Sequence, residues 1–82
     1  MAAKVKAYLL VETSVGRAPG VANALKRLEG VDSADMVTGP YDIIATLSGK
    51  DVSAIGTLVT EEVCQIVGVI RTVTNFALPN GR

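Results

Sequence analysis

The segment with the clearest chemical potential is residues 37–42, which read VTGPYD. A tight turn accounts for Gly39 and Pro40, but it does not require a tyrosine and an aspartate at the head of an apolar strand. The backbone amides of the turn and the carboxylate of Asp42 can form a small polar pocket that binds the amine or hydroxyl of a ligand. The alternative is structural, with Tyr41 packed at the edge of a sheet and Asp42 capping the turn. The residues alone leave both interpretations open.

A second group of polar residues lies near the C-terminal end, where Thr72, Thr74 and Asn75 follow one another in a β-rich run. Strand alternation places Thr72 and Thr74 on one face and Asn75 on the other. In a dimer this strand can reach the neighbourhood of the hairpin, so these residues are further candidates for the same site.

The residue types that most catalytic and metal sites need are scarce. The chain has no histidine and one cysteine, Cys64, which falls in an apolar helical stripe where we expect a buried and inert thiol. Asp32, Asp35 and Asp42 have no second acidic cluster facing them, which argues against a glycosidase pair or a two-metal site. Residues 16–20, GRAPG, lack the Gly-Lys-Ser/Thr end of a P-loop. We therefore expect no enzyme activity, no metal and no cofactor.

The composition narrows the classes of partner. Eight basic residues balance eight acidic ones among 82 residues, and the aromatic residues are two tyrosines and one phenylalanine. Proteins that bind nucleic acid through phosphates usually carry a basic excess, so direct nucleic-acid binding is not expected. No run approaches the roughly 20 apolar residues of a membrane span, and the N-terminus lacks a signal-peptide pattern. A free cysteine suits a reducing compartment, and we expect a cytoplasmic protein without membrane contact.

Strand-like and helix-like stretches alternate along the chain. Apolar alternation and β-branched residues predict strands over residues 4–11, 31–38 and 41–48 and within 66–78. Apolar residues at helical spacing predict helices over 19–29 and 52–63, with Val52 and Val63 in the buried stripe of the second. Asp51 is a candidate N-cap and Gly30 a candidate helix stop. The order predicts an α+β, ferredoxin-like βαββαβ fold, with both helices on one face of an antiparallel sheet and residues 1–82 forming a single domain.

The sheet is predicted to be apolar on both faces. Adjacent large aliphatic residues point to opposite faces in three strands, namely Leu9 with Leu10, Ile43 with Ile44, and Val69 with Ile70. The helices cover one face, and a second copy of the sheet is the economical cover for the other. A small chain that cannot form an internal disulfide also gains stability from a partner. We therefore predict a homodimer of the dimeric α/β barrel type, although residues at strand ends can also be exposed without consequence.

Three sequence features together resemble the C-terminal effector domain of the Lrp/AsnC regulators, also called the RAM domain. They are Gly30-Val31 after the first helix, the hairpin VTGPYDI at residues 37–43, and Gly68-Val69 leading to Thr72-x-Thr74. The resemblance covers residues 5–78, and its more specific part is the Thr-Gly-x-Tyr-Asp hairpin. The full regulators carry an N-terminal helix-turn-helix that this sequence lacks, so the chain resembles a stand-alone RAM protein.

The resemblance implies a role in transcription regulation of amino-acid metabolism. It implies sheet-to-sheet homodimers that assemble into an octamer or decamer, a bound amino acid or related metabolite between dimers, and a DNA-binding Lrp/AsnC paralogue as partner. Carried over position by position, the ligand-binding residues are Met36, Thr38, Gly39, Tyr41, Asp42, Thr74 and Asn75. The sequence departs from the family at Pro40, which removes an amide donor, and at Asn75, where relatives often carry an apolar residue.

Three alternatives share the predicted topology. The first is a purely structural oligomerisation module. The second is a small enzyme of the dimeric α+β barrel type, such as a monooxygenase, although the lack of histidine argues against a haem-dependent form. The third is an ACT domain, which the hairpin sequence fits less well.

Overall fold

The computed structural model describes residues 4–79 and has the predicted order of elements. The elements are β1 (Val5–Thr13), α1 (Ala18–Lys26), β2 (Val31–Met36), β3 (Ile43–Gly49), α2 (Val52–Glu61) and β4 (Val69–Phe76), with a 3-10 turn at Val63–Gln65 between α2 and β4. The strands form one antiparallel sheet in the order β2-β3-β1-β4. This is the α+β, ferredoxin-like arrangement that the sequence predicts. Within residues 4–79, no helix is long and apolar enough to cross a membrane.

The hydrophobic core lies between the two helices and one face of the sheet. The core-facing residues of the two central strands are completely buried, namely Ala7, Leu9 and Val11 of β1 and Ile43, Ala45 and Leu47 of β3. The antiparallel register sets them side by side, with Leu9 opposite Ala45 and Val11 opposite Ile43. Leu25 of α1 and Ile55 of α2 cover them. Each such large side chain contributes about 1.5–3 kcal/mol of burial free energy.

The predicted helix ends are partly confirmed. The side chain of Asp51 accepts a hydrogen bond from the backbone N–H of Ala54 at 2.7 Å, as an N-cap does. Helix α1 ends earlier than predicted, at Lys26, and a turn leads to Gly30, whose φ of 99° is in the left-handed region. The carbonyl of Gly30 accepts from the N–H of Ser48 at 2.9 Å, which ties this turn to the end of β3.

Two side chains near α2 differ from the prediction. Val52, in the first turn of α2, is 57% exposed, and Leu58 is buried with Ile55 instead. Cys64 is exposed and not buried. The α-helix ends at Glu61, and the tighter 3-10 turn keeps Val63 inside while it rotates Cys64 outward.

The face of the sheet away from the helices, called here the open face, carries a row of three aliphatic residues. Leu10 lies between Ile44 on β3 and Val73 on β4, and Ile44 is 37% exposed. The prediction of an apolar second face is thus confirmed for Leu10 and Ile44. We call Leu10, Ile44 and Val73 the aliphatic row.

Ile70 does not join the aliphatic row. Glu12 pairs with Arg71 and Thr13 pairs with Val69, so Ile70 is the extra residue of a β-bulge and is 60% exposed. The bulge shifts the alternation of β4 by one residue. Val73 therefore lies opposite Leu10 on the open face, whereas simple alternation from Val69 would place it on the core side.

Candidate functional site

The connection between β2 and β3 forms the candidate site. It runs from Val37 to Asp42, which is longer than the predicted turn, because β2 stops at Met36 and β3 starts at Ile43. The N–H of Val37 donates to the carbonyl of Asp42 at 2.9 Å and closes the loop. Gly39 has a φ of 123°, a conformation that side chains rarely adopt. The backbone conformation therefore explains why position 39 is a glycine, without any ligand.

Asp42 ties this loop to the end of β1. Its N–H donates to the carbonyl of Val11 at 2.9 Å, and its carboxylate oxygen Oδ2 accepts from the N–H of Thr13 at 2.7 Å. The side chain is half-buried, and Thr13 is 9% exposed. The other oxygen, Oδ1, makes no hydrogen bond to residues 4–79. Asp42 thus has the structural contact that the capping interpretation requires, and it keeps one carboxylate oxygen for another partner.

Tyr41 contacts the start of β4 across the end of the sheet. Its hydroxyl accepts a hydrogen bond from Nη2 of Arg71 at 2.5 Å, and the Arg71 guanidinium carbon lies 5.4 Å from the ring centroid. Arg71 also faces Glu12, its cross-strand neighbour on the open face, with 3.7 Å between Nε and Oε1. We call Tyr41, Arg71 and Glu12 the Tyr41–Arg71–Glu12 cluster.

Sequence reasoning identified Tyr41 but missed Arg71 and Glu12. A signal was present for Arg71, which is the only charged residue in the apolar and hydroxyl-rich run of residues 66–78. Glu12 carries no such signal, because an acidic residue at a strand end is ordinary. Only the register of β1 with β4 brings the two together.

The predicted site residues fall into two places within one chain. Thr38, Gly39, Tyr41 and Asp42 lie in the loop, and Met36 lies at its entry and is 58% exposed. The remaining two, Thr74 and Asn75, lie further along β4.

Thr74 pairs with Leu9, on the core side of the sheet, and Asn75 pairs with Tyr8, on the open face. These two residues point to opposite faces of the sheet, as the predicted alternation requires. The side-chain Nδ2 of Asn75 donates to the carbonyl of Tyr8 at 3.4 Å. No hydrogen bond within residues 4–79 joins these two residues to the loop.

A concavity of about 370 Å³ lies at the opposite end of the sheet. It is lined by Lys4, Val5 and Lys6 at the start of β1 and by Ala77, Leu78 and Pro79 after β4. None of the predicted ligand-binding residues lines it. Among residues 4–79 there is also no group of three or more His, Cys, Asp or Glu side chains that could hold a metal ion. The polar groups of the loop end therefore remain the better candidate site.

Solved structures with the same fold come in two lengths. TTHA0845 from Thermus thermophilus is 32% identical with a TM-score of 0.87, and the match covers 92% of this chain and 94% of that one. Escherichia coli AsnC is 20% identical with a TM-score of 0.87, and the match covers 95% of this chain but 53% of AsnC. The regulator NMB0573 from Neisseria meningitidis, solved as a complex with L-Met, is 20% identical with a TM-score of 0.82, over 95% of this chain and 52% of that one. At 20% identity the last two show the fold alone.

Among curated proteins, no sequence matches this chain significantly. The family model of the Lrp/AsnC ligand binding domain, in contrast, matches residues 6–80. The family is made up of ligand-binding domains of transcription regulators. The order of elements, the hairpin sequence and the match over nearly the whole chain agree, and the chain belongs to the Lrp/AsnC ligand-binding domain family.

Proposed function

We propose that this chain senses a small molecule, with amino acids as the first candidate class, and acts as an oligomer in transcription regulation. The observation that carries the proposal is the loop end of the sheet. There, Asp42 has one carboxylate oxygen fixed by Thr13 and one without a partner among residues 4–79, beside the phenol of Tyr41. A half-buried carboxylate held in this way suits the ammonium group of an amino acid. A relative of the same fold is known as a complex with L-Met.

The aliphatic row supports an oligomeric form of this sensor. Leu10, Ile44 and Val73 lie side by side on a face that neither α1 nor α2 covers, and Tyr8 in the next row is 41% exposed. Two open faces packed together bury both rows and form the dimeric α/β barrel type of assembly. Further assembly of such dimers into an octamer or decamer also supplies the second chain that joins Thr74 and Asn75 to a loop.

The proposed route to DNA is indirect. The elements of residues 4–79 all belong to the sensor fold, and none of them forms a helix-turn-helix. The match also spans only about half of AsnC. We propose that the chain acts in the cytoplasm and influences transcription by associating with an Lrp/AsnC protein that carries a DNA-binding domain.

The test is the native mass and thermal stability of the purified chain with each of the 20 L-amino acids in turn. We expect a dimer or larger assembly, and one or a few amino acids that change its mass or raise its Tm. A ligand at about 100 times its Kd stabilises the folded state by about 2.7 kcal/mol, which is readily detected. A monomer at all concentrations contradicts the oligomeric part of the proposal, and a chain that binds no amino acid contradicts the sensing part.

A second candidate function is a purely structural oligomerisation module. The hydrogen bond from Thr13 to Asp42 favours it, because this contact explains the aspartate without any ligand. The two functions differ in the same experiment. A stable assembly that is indifferent to every amino acid supports the structural module.

A further inference from the structure

The open face carries charged residues on its two opposite edges. Asp35 of β2 pairs with Ile44 and points to the same side, because its neighbour Ala34 is buried against the helices. Arg71 of β4 pairs with Glu12 on that side. The strand order β2-β3-β1-β4 makes β2 and β4 the edge strands. One edge of the open face is therefore acidic and the other is basic.

Apolar and polar side chains form separate rows across the open face. The aliphatic row crosses β3, β1 and β4 and ends at Asp35 on β2. The next row towards the start of β1 is polar, and a hydrogen bond of 2.6 Å joins the hydroxyl groups of Ser33 and Thr46 within it. We call it the polar row, and its members are Ser33, Thr46, Tyr8 and Asn75. A partner sheet that covers the open face must match this order of rows.

A homodimer formed through the open face has a two-fold axis between its two sheets. If the axis runs along the strands, each row meets the same row of the partner, so that Asn75 faces the partner's Ser33 and Tyr8 faces the partner's Thr46. If the axis runs across the strands through the aliphatic rows, the polar row meets the charged row that contains the partner's Glu12. Because buried polar groups need hydrogen-bonding partners and buried charges need opposite ones, the axis along the strands fits better.

The axis along the strands also brings the acidic and basic edges together twice, because β4 then lies over β2 of the partner. Arg71 is one row away from the position above the partner's Asp35. Packed sheets are about 10 Å apart, a gap that an arginine and an aspartate side chain span together. In its own chain Arg71 donates to the hydroxyl of Tyr41 and lies 3.7 Å from Glu12. Since a guanidinium has five N–H donors, Arg71 keeps donors for a carboxylate of the partner.

We infer that Arg71 of each protomer pairs with the partner's Asp35, and that these two reciprocal ion pairs fix the register of the dimer. The inference rests on the proposed face-to-face dimer and specifies its axis. It also defines the partner that the open face accepts, which is a copy with an acidic β2 edge and a basic β4 edge. A related chain that lacks either charge forms one of the two ion pairs at most. Because Arg71 also holds Tyr41, the same contact links the dimer to the loop of residues 37–42.

The experiment exchanges the two charges between chains. Asp35→Lys and Arg71→Glu each place like charges opposite one another twice, and each alone should raise the Kd of the dimer about 10- to 100-fold in sedimentation. An equimolar mixture of the two variants restores both ion pairs. With one variant isotope-labelled, native mass spectrometry should show mixed dimers well above the share that random exchange gives. The controls Glu29→Lys and Arg27→Glu carry the same charge changes at exposed positions after α1 and should show neither effect.

A chemical cross-link tests the register even if a charge variant fails to fold. Ser33 and Asn75 lie on the two edge strands, three strand spacings or about 14 Å apart within one chain. In the inferred dimer each of them faces the other residue of the partner. The variants Ser33→Cys and Asn75→Cys are made in a Cys64→Ser background, because Cys64 is exposed. With a bis-maleimide shorter than the intrachain distance, their mixture should give covalent dimers, and neither variant alone should do so.

Three results overturn the inference. Charge variants that fold but show no preference for mixed dimers exclude the ion pairs and leave the proposed dimer in place. Cross-links that form within one cysteine variant alone, or that fail to form in the mixture, exclude the axis along the strands. A wild type that is monomeric at all concentrations overturns the proposed dimer as well.

Discussion

The contact between Asp42 and Thr13 gives the most direct test of how the loop end is held together. In Asp42→Ala the N–H of Thr13 loses its acceptor at a residue that is 9% exposed. A hydrogen bond to a charged group contributes about 1.5–3 kcal/mol, and an orphaned buried donor is costly. We therefore expect Asp42→Ala to lower the free energy of unfolding by about 2 kcal/mol.

One milder substitution and two controls give reference values for this loss of unfolding free energy. Asp42→Asn keeps an oxygen acceptor without the charge and should cost about 1 kcal/mol. Asp51→Ala removes the exposed N-cap of α2 and should also cost about 1 kcal/mol. Asp35 is exposed on β2, and Asp35→Ala should stay within about 0.5 kcal/mol of the wild type.

The assay is urea unfolding followed by circular dichroism at one fixed protein concentration, because oligomerisation makes apparent stability depend on concentration. For a domain of this size, about 2 kcal/mol corresponds to a Tm decrease of about 8 to 16 °C. The decisive comparison is Asp42→Ala with Asp35→Ala. If the two variants unfold at the same urea concentration, the Asp42 carboxylate does not hold the loop and the structural part of the site description is wrong.

Three further predictions address the open face, the backbone and the core. Ile44→Lys places a charge in the aliphatic row and should convert the assembly to monomers, as measured by light scattering. The control Val15→Lys, outside the sheet, should leave the mass unchanged. An unaltered mass in Ile44→Lys would remove the argument for face-to-face dimers. Gly56→Ala should stabilise the chain by about 1 kcal/mol, because the new methyl group lies at an exposed helix position and meets no atom within 4 Å. Gly39→Ala should destabilise the chain by about 1–2 kcal/mol, because Gly39 has a φ of 123°. Equal effects of the two variants in urea unfolding would contradict the backbone argument. Leu9→Ala should cost about 3–5 kcal/mol in the same assay, and a loss below about 1 kcal/mol would mean that the space beneath the helices is not tightly packed.

The fold could be predicted from the sequence because its signals are local and repeated. Alternation predicted the strand that contains the buried residue Leu9, and Asp51 marked the start of α2. The errors lie where packing overrides local pattern. Cys64 follows the apolar spacing of α2, but the change from α-helix to 3-10 turn after Glu61 rotates it into solvent.

The site was less accessible to sequence reasoning than the fold. The hairpin stood out because Tyr41 and Asp42 are unexpected at the head of a strand, yet the partner of each lies about thirty positions away in the sequence, at Arg71 and Thr13. Such contacts depend on strand register, and the bulge at Ile70 shifts the register of β4 by one residue. The periodicity of the sequence does not reveal that shift, so the sequence alone could not place Arg71 beside Glu12.

The position of β4 in the sheet governs how the chain reaches its final form. Among residues 4–79, β4 is the last element and pairs with β1, the first, so that Asn75 contacts Tyr8 across 67 positions. The β2–β3 pair closes a short loop and can form early, while the β1–β4 pair must close almost the entire chain, which is a slow step. During synthesis one side of β1 stays unpaired until the final strand leaves the ribosome. Arg71 arrives with that strand, so the corner where it meets Tyr41 is among the last features to form, and a chain truncated before β4 has neither a complete sheet nor this contact.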